Sequence, residues 1–589
     1  MTGRSKFVLL CVTIAMMAVA STVRAQTDTK KEKEAAELEK KTLALLNEIA
    51  SASWGLKLPE NRVYIMASTA DLLWPFDDKR ARNLYWEAIN SINATVPANP
   101  KPGETLSQAD REKFTQAYIL TLRLRQTVVR QVVRRDPQLA LDMLRASRQA
   151  PPKELGLFSE ERRFEQEIAG EIAVRDPAQA LQFARESLAK GLTWELVNLV
   201  QRLQQRDAEK ASVFAGEIIT RLQTMNVATD LHASITALYL LQSSRTREGN
   251  ELGAEILKPL TLTGDQKHEL VEILLDAALS ASANSHLLFQ MNEIMPEIEQ
   301  FFPERRAALE RKLATFNQTL TKEQRYQNTY NGLIRRGMPE DIVRIAASGD
   351  NYSQAFLYQQ AAVIAVARGN TDAFRDFLSK EISDSERKKI LDLLDVEEIN
   401  MAAVRKKPDD LRKLLPKIEC KEERARAMAE LAVLLKEKGE DAEAGALLDE
   451  AATMIKTNLK DEKQTNALLS LLCAYAVVDP AKAFALAERT VDRANSQISL
   501  LLLLDRVVKS GAVKKSEIIL DQAGIMQLDF MVFKYGKGVA ALARSDFNRT
   551  RALADRFDRN ELRLLAQLLI VKGLLQPSDL SQPEFSAAQ

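Results

Sequence analysis

The side chains in this chain that could do chemistry fall into a few sets. The stretch LRLRQTVVRQVVRR, residues 122–135, holds five arginines and no acid. On a helix, Arg123, Arg130 and Arg134 share one face at i, i+7 and i+11, which suits an anionic partner such as a cell-wall polymer, lipopolysaccharide or an acidic peptide. The same arginines would also serve acids on neighbouring elements, and the near-zero net charge favours that use. A second set is the recurring Asp-Pro pair, in RRDPQLALDMLR (134–145), VRDPAQALQFAR (174–185) and VVDPAKAFALAE (477–488), where a lone aspartate would suggest a general acid. A metal centre would need clustered ligands. His232, His268 and His286 are far apart, none forms a His-x-x-x-His pair, and Cys-x-x-Cys is absent. There is no Gly-x-Ser-x-Gly elbow, phosphate-binding loop or dinucleotide fingerprint, so no catalytic, metal or cofactor residue is assigned and no cofactor is expected. Paired carboxylates in a helical toroid could hydrolyse glycan, but that chemistry wants an aromatic-lined cleft. The chain is 6% aromatic, and three of its four Trp residues precede residue 90.

Recurrence decides how the aspartates are read. Asp77, Asp136, Asp176, Asp207 and Asp479 are each followed by Ala at +4, a large apolar residue at +7 and an apolar or aromatic residue at +8. Asp546 begins a looser copy, as do Met338, Asn370 and Glu440. An aspartate at the N-cap accepts from the first free backbone N–H groups. Proline after it loses no hydrogen bond and holds the cap residue out of the helical region. The arginines before it complement the dipole at the end of the preceding helix. Each copy therefore reads as one helix ending, a tight turn and the next beginning, with the small +4 residue allowing close packing. Neighbouring copies lie roughly 31–40 residues apart, one helical hairpin per repeat. The expected fold is all-α, an α-solenoid of antiparallel hairpins.

Composition agrees. Only 21 of 589 residues are Gly and 18 are Pro, too few for the turns of a large β-protein. Residues 1–25 read as a signal peptide: Arg4 and Lys6, an apolar run at 7–20, and cleavage after Ala25. No later stretch is apolar for long enough to span a membrane. The expectation is an exported protein, periplasmic or secreted. The formal charge of the whole chain is +1, and the leader holds three basic residues and no acid, so the mature chain stands at −2. Near-neutrality argues against nucleic acid as a partner. Export would permit a disulfide between Cys420 and Cys473, although their apolar helical surroundings favour two free thiols. The expected order is an N-terminal helical cap over 26–94, rich in aromatics (Trp54, Tyr64, Trp74, Phe76, Tyr85, Trp86). A linker at 95–108 with three prolines follows, then a repeat block at 109–225 and an irregular long-helix region at 226–330. A second block at 331–574 and a disordered tail at 575–589 complete it.

The segment LAVLLKEKGEDAEAGALLDEAATM (431–454) resembles a tetratricopeptide repeat. Gly439 stands in the turn and Ala444 and Ala451 occupy small-residue positions, while Leu447 and Leu448 replace the aromatic pair of that family. The wording at 58–88 and 134–148 is similar to a group of exported acidobacterial helical-repeat proteins. These resemblances imply architecture and carry no catalytic residue over. The function they suggest is a non-catalytic binding or scaffold module of the cell envelope with a protein or peptide partner. The rival is an all-helical envelope hydrolase or lyase acting on glycan through Glu or Asp residues.

Overall fold

The computed structural model describes residues 33–95, 107–148, 158–245, 258–282, 285–321, 338–348, 351–455, 462–508, 513–520 and 535–575. The leader at 1–25, most of the linker and the tail after Leu575 lie outside them. Among the described residues the chain is all-α, relieved by one hairpin of two-residue strands. It divides into two compact units, one gathering the residues up to Ala88 with those from Leu435 onward, the other formed by Ile89–Leu434.

Three helices open the described chain: α1 (residues 33–52), α2 (Pro59–Leu73) and α3 (Asp78–Asn93). Pro59 takes the first position of α2, where its missing N–H costs nothing. Val63, Ile65, Met66, Ala67 and Ala70 of α2 are all fully buried, so this helix is covered on several sides.

The unit Ile89–Leu434 is a row of hairpins. Its first eight helices are α4 (Gln108–Val133), α5 (Pro137–Ala146), α6 (Phe158–Ala173), α7 (Pro177–Lys190), α8 (Glu195–Arg206), α9 (Ala208–Gln223), α10 (Leu231–Ser243) and α11 (Gly264–Ser280). Each even-numbered helix packs on its own successor and on the next even-numbered helix, while α7 packs on α9 and α9 on α11. This is the packing of stacked antiparallel hairpins. The turns force it, since α8 and α9 are joined by Asp207 alone. Ala140, Ala180 and Ala211, one per repeat, are fully buried where the helices meet. Gly170 of α6 serves the same end, because a methyl group there would already touch the backbone of Leu199 at 3.7 Å.

The stacking continues through α10 and α11, inside the stretch read from sequence as irregular. The Asp-Pro signature is missing there because Thr263 and Gln266 form a reciprocal capping box instead. Residues 244–263 also separate the two helices and break the period. After α12 (Leu287–Gln290), α13 (Met295–Phe301) and α14 (Pro303–Thr319), the row resumes with α15 (Pro339–Ser348), α16 (Asn351–Ala367), α17 (Thr371–Glu381), α18 (Asp384–Val404), α19 (Pro408–Leu414) and α20 (Lys421–Glu437). Tyr358, Phe374, Leu378 and Leu394 centre the core of α15–α18.

The other unit combines the N-terminal helices with α21 (Asp441–Met454), α22 (Glu462–Val478), α23 (Pro480–Val508), β1 (Val513–Lys514), β2 (Glu517–Ile518), α24 (residues 535–545), α25 (Phe547–Asp555) and α26 (Asn560–Leu575). The turn before α21 uses Gly439 at φ +83°, the left-handed region where a side chain would be strained. Consecutive helices pack in pairs, and α26 packs on α2. The last helix among the described residues thus lies against α2, where Tyr64 is buried. The strands meet antiparallel, Val513 opposite Ile518, and Lys515 and Ser516 at φ 46° and 64° make the tight turn that suits strand twist.

Candidate functional site

The arginines of α4 differ in what they meet. Arg123 and Arg134 are exposed, but Arg130 donates from Nε and Nη2 to the Glu167 carboxylate of α6, the latter at 2.8 Å. Arg125, off the face that Arg123, Arg130 and Arg134 share, is fully buried. Its Nη1 and Nη2 each donate to a Glu161 oxygen at 2.6 Å, and its Nε donates to Ser147 Oγ at 2.8 Å. Its guanidinium also lies 5.5 Å from the centre of the Phe164 ring. The cause is the repeat. Glu161 and Glu167 come 36 and 37 residues after their arginines, one hairpin along the chain, and the stacking of α4 on α6 sets them opposite.

The rule holds further along. Arg163 Nε meets Glu195 Oε1 at 3.1 Å and Arg185 Nε meets Glu217 at 3.0 Å, each across 32 residues, and Arg202 pairs with Glu171 at 2.8 Å. Burial raises the Glu195 carboxyl above the ordinary range, and hydrogen bonds from Arg163 and Asn198 oppose the shift. An arginine and a glutamate one repeat apart were the sequence signal for this ladder. The Arg185–Glu217 pair crosses a groove of about 360 Å³ between α7 and α9, also lined by Leu188, Thr220 and Arg221.

The six aspartates stand at helix starts. Their Oδ1 atoms accept from the backbone N–H three residues on: Asp77 from Arg80 at 2.9 Å, Asp136 from Leu139 at 3.0 Å, Asp176 from Gln179 at 2.9 Å, Asp207 from Lys210 at 3.0 Å, Asp479 from Lys482 at 3.3 Å and Asp546 from Arg549 at 2.9 Å. The Lys210 ammonium, bonded to the other oxygen of Asp207, holds that carboxyl below its ordinary range. Asp230 and Ser107 cap α10 and α4 in the same way, without a proline to mark them in the sequence. Neighbouring turns touch, since Arg175 Nη1 donates to the Arg135 carbonyl at 3.0 Å. Replacing Asp176 by alanine is expected to lower stability by about 1 kcal/mol, measured as a shift in urea midpoint.

Carboxylates converge in two other places, and in both they are bonded. In the N- and C-terminal unit, Glu517 of β2 is buried and accepts from Lys57 N at 2.6 Å, Leu58 N at 3.0 Å and Asn61 Nδ2 at 3.2 Å, at the start of α2. Asn61 Oδ1 accepts from Leu520 N at 2.7 Å, and buried Glu561 of α26 accepts from Ile518 N at 3.0 Å. The hairpin thus supplies the cap that Leu58 cannot. In the other unit, Arg375 of α17 gives one nitrogen, Nη2, to both Asp395 and Glu398 of α18, each at 2.5 Å. Burial is the main cause pushing the Asp395 carboxyl up to about 6, and Arg375 opposes it.

The other chemical candidates fall into structural settings. His268 packs against Phe301 and Phe302, with ring centres 5.8 and 4.6 Å away, and His286 lies against Phe289. His232 is half-buried on α10. Among the described residues no group of three His, Cys, Asp or Glu could hold a metal ion. Cys420 and Cys473 are half-buried, and no disulfide joins them. Each thiol has its own local acceptor, Glu422 at 3.3 Å and the Tyr535 carbonyl at 3.7 Å. Of the N-terminal aromatics, Tyr64 and Tyr85 are buried, Trp54 and Phe76 are exposed, and Arg82 stacks on Trp74 at 4.7 Å. No helix among the described residues is long and apolar enough to cross a membrane. Compared with known proteins, the chain matches no family model, no curated protein and no solved structure.

Proposed function

We propose that this chain is a non-catalytic helical-repeat protein of the cell envelope, exported behind the leader at residues 1–25, which holds a protein or peptide partner along its stacked hairpins. The observation that carries this reading is the ladder of ion pairs one repeat apart, Arg125–Glu161, Arg130–Glu167, Arg163–Glu195 and Arg185–Glu217. It commits the charged side chains of successive repeats to holding the row in register. A row held in register repeats its grooves and exposed side chains at fixed intervals, which suits an extended partner. The tetratricopeptide-like reading rests on Gly439 in its left-handed turn and on buried Ala444 and Ala451. Arg123 and Arg134, exposed near the start of the row, favour a partner with acidic side chains.

The test is crosslinking capture from native envelopes with the full chain as bait. A specific protein partner is expected, and exchanging Arg123 and Arg134 for glutamate should weaken its capture. Degradation of cell-wall glycan by the purified protein, with no partner enriched, would replace this reading by that of an envelope hydrolase or lyase.

A further inference from the structure

The Arg375 cluster is unlike the ladder. In the ladder Arg125, Arg130 and Arg185 each serve one glutamate through two nitrogens. Here a single nitrogen serves two carboxylates, and the Nε of the same guanidinium is buried with no hydrogen-bond partner. Asp395 is only 2% exposed. The surroundings add acid rather than base. On α18 itself Asp392 and Glu398 act on Asp395 as further negative charges. From α20, Arg426 is held by Asn400 Oδ1 at 2.9 Å and the Val396 carbonyl at 3.2 Å, next to Glu423. It faces Glu397, whose carboxyl burial also raises. From α17 the other charged groups are Asp372, which Lys417 holds at 2.5 Å, Glu381, which Arg344 holds at 2.9 Å, and Asp376 and Lys380, all four of them exposed. From α16, Gln354 and Tyr358 engage Glu386, earlier on α18. The charges of α19, at Asp409, Asp410, Arg412 and Lys413, are all exposed. The junction therefore buries more negative charge than its cations neutralise.

We propose that the junction of α17, α18 and α20 is a proton-responsive joint: in mildly acidic solution Asp395 takes a proton from solvent, Arg375 becomes the one-to-one partner of Glu398, and this repeat tightens. The direction follows from linkage. The folded Asp395 carboxyl keeps its proton up to about pH 6, above the ordinary aspartate range of an unfolded chain. Folding therefore gains stability as the pH falls through that value, and the gain levels off below the unfolded range. This is the reverse of the usual paired carboxylate, which loses stability in acid.

Hydrogen exchange on the full chain tests it, comparing about pH 7.5 with about pH 5.5 after correction for intrinsic rates. Peptides covering α17 and α18 are expected to exchange on the order of fivefold more slowly in the acidic sample, while those covering α4 and α5 do not change. Asp395→Asn keeps the shape and an acceptor for Arg375 but removes the charge, and should give slow exchange at both pH values. Glu398→Gln leaves Arg375 to Asp395 alone, and should move the transition to lower pH. Equal exchange of α17 and α18 in the two samples of the unaltered protein would overturn the proposal. So would a pH dependence that survives Asp395→Asn, or one that Glu398→Gln leaves in place.

Discussion

Replacing Arg125 by alanine is expected to destabilise the Ile89–Leu434 unit by about 3–5 kcal/mol, because it strands the Glu161 carboxylate in a buried site. Glu161 is 5% exposed, and both of its oxygens are bonded to Arg125 at 2.6 Å. Ser147 and the Phe164 ring lose a partner in the same step. The loss belongs to the broken pair rather than to the net worth of an ion pair. Replacing Arg125 and Glu161 together by methionine should therefore recover most of the stability, since a well-packed apolar pair commonly matches a buried ionic one. Urea denaturation of the single and double variants separates the two effects. A single variant as stable as the parent would show that water reaches Glu161 and that the pair is not buried in solution.

Replacing Glu517 by alanine is expected to have a comparable effect at the other unit, about 3–4 kcal/mol. Three donors, Lys57 N, Leu58 N and Asn61 Nδ2, lose a charged acceptor at once. Each would be left near the start of α2 with no capping side chain on its own segment, since Leu58 offers none. The consequence is local as well as energetic. The carboxylate joins residues 459 and 460 positions apart in sequence, so its loss should loosen the N-terminal helices from the C-terminal ones. Limited proteolysis should show early cleavage between α1 and α2, with the Ile89–Leu434 unit resisting as before. Glu517→Gln keeps one acceptor oxygen and should lie between the two. An alanine variant with unchanged proteolysis would mean that apolar packing of α26 on α2 holds the joint unaided.

These two side chains also mark how far the sequence could be read. The helix starts were legible residue by residue. An aspartate followed by proline, with a small residue four positions on, is a local arrangement whose hydrogen bonds close within one turn, so Asp136, Asp176 and Asp479 declare their role without the rest of the fold. Asp230 does the same job without proline and passed unnoticed. The Thr263–Gln266 box closes its bonds just as locally, but residues 244–263 break the spacing and hide the continuation of the row. The arginines of α4 were legible as a group but not one by one. Helical periodicity places Arg123, Arg130 and Arg134 on one face, yet it does not say which face meets α6.

The sequence alone, then, determined whatever depends on neighbours along the chain: the all-helical class, the hairpin repeat, the caps and the near-balance of charge. Its local terms, capping, propensity and the 3.6-residue period, act over a few residues and are the same wherever the helix ends up. Only the tertiary structure decided what depends on which helices meet. It buried Arg125 on Glu161 while leaving Arg123 exposed, set two carboxylates on one nitrogen of Arg375, and used Glu517 to cap a helix from the opposite end of the chain. The physical reason is that the free energy of a charge depends on its solvation and its partner. Both are set by packing between residues that are distant in sequence.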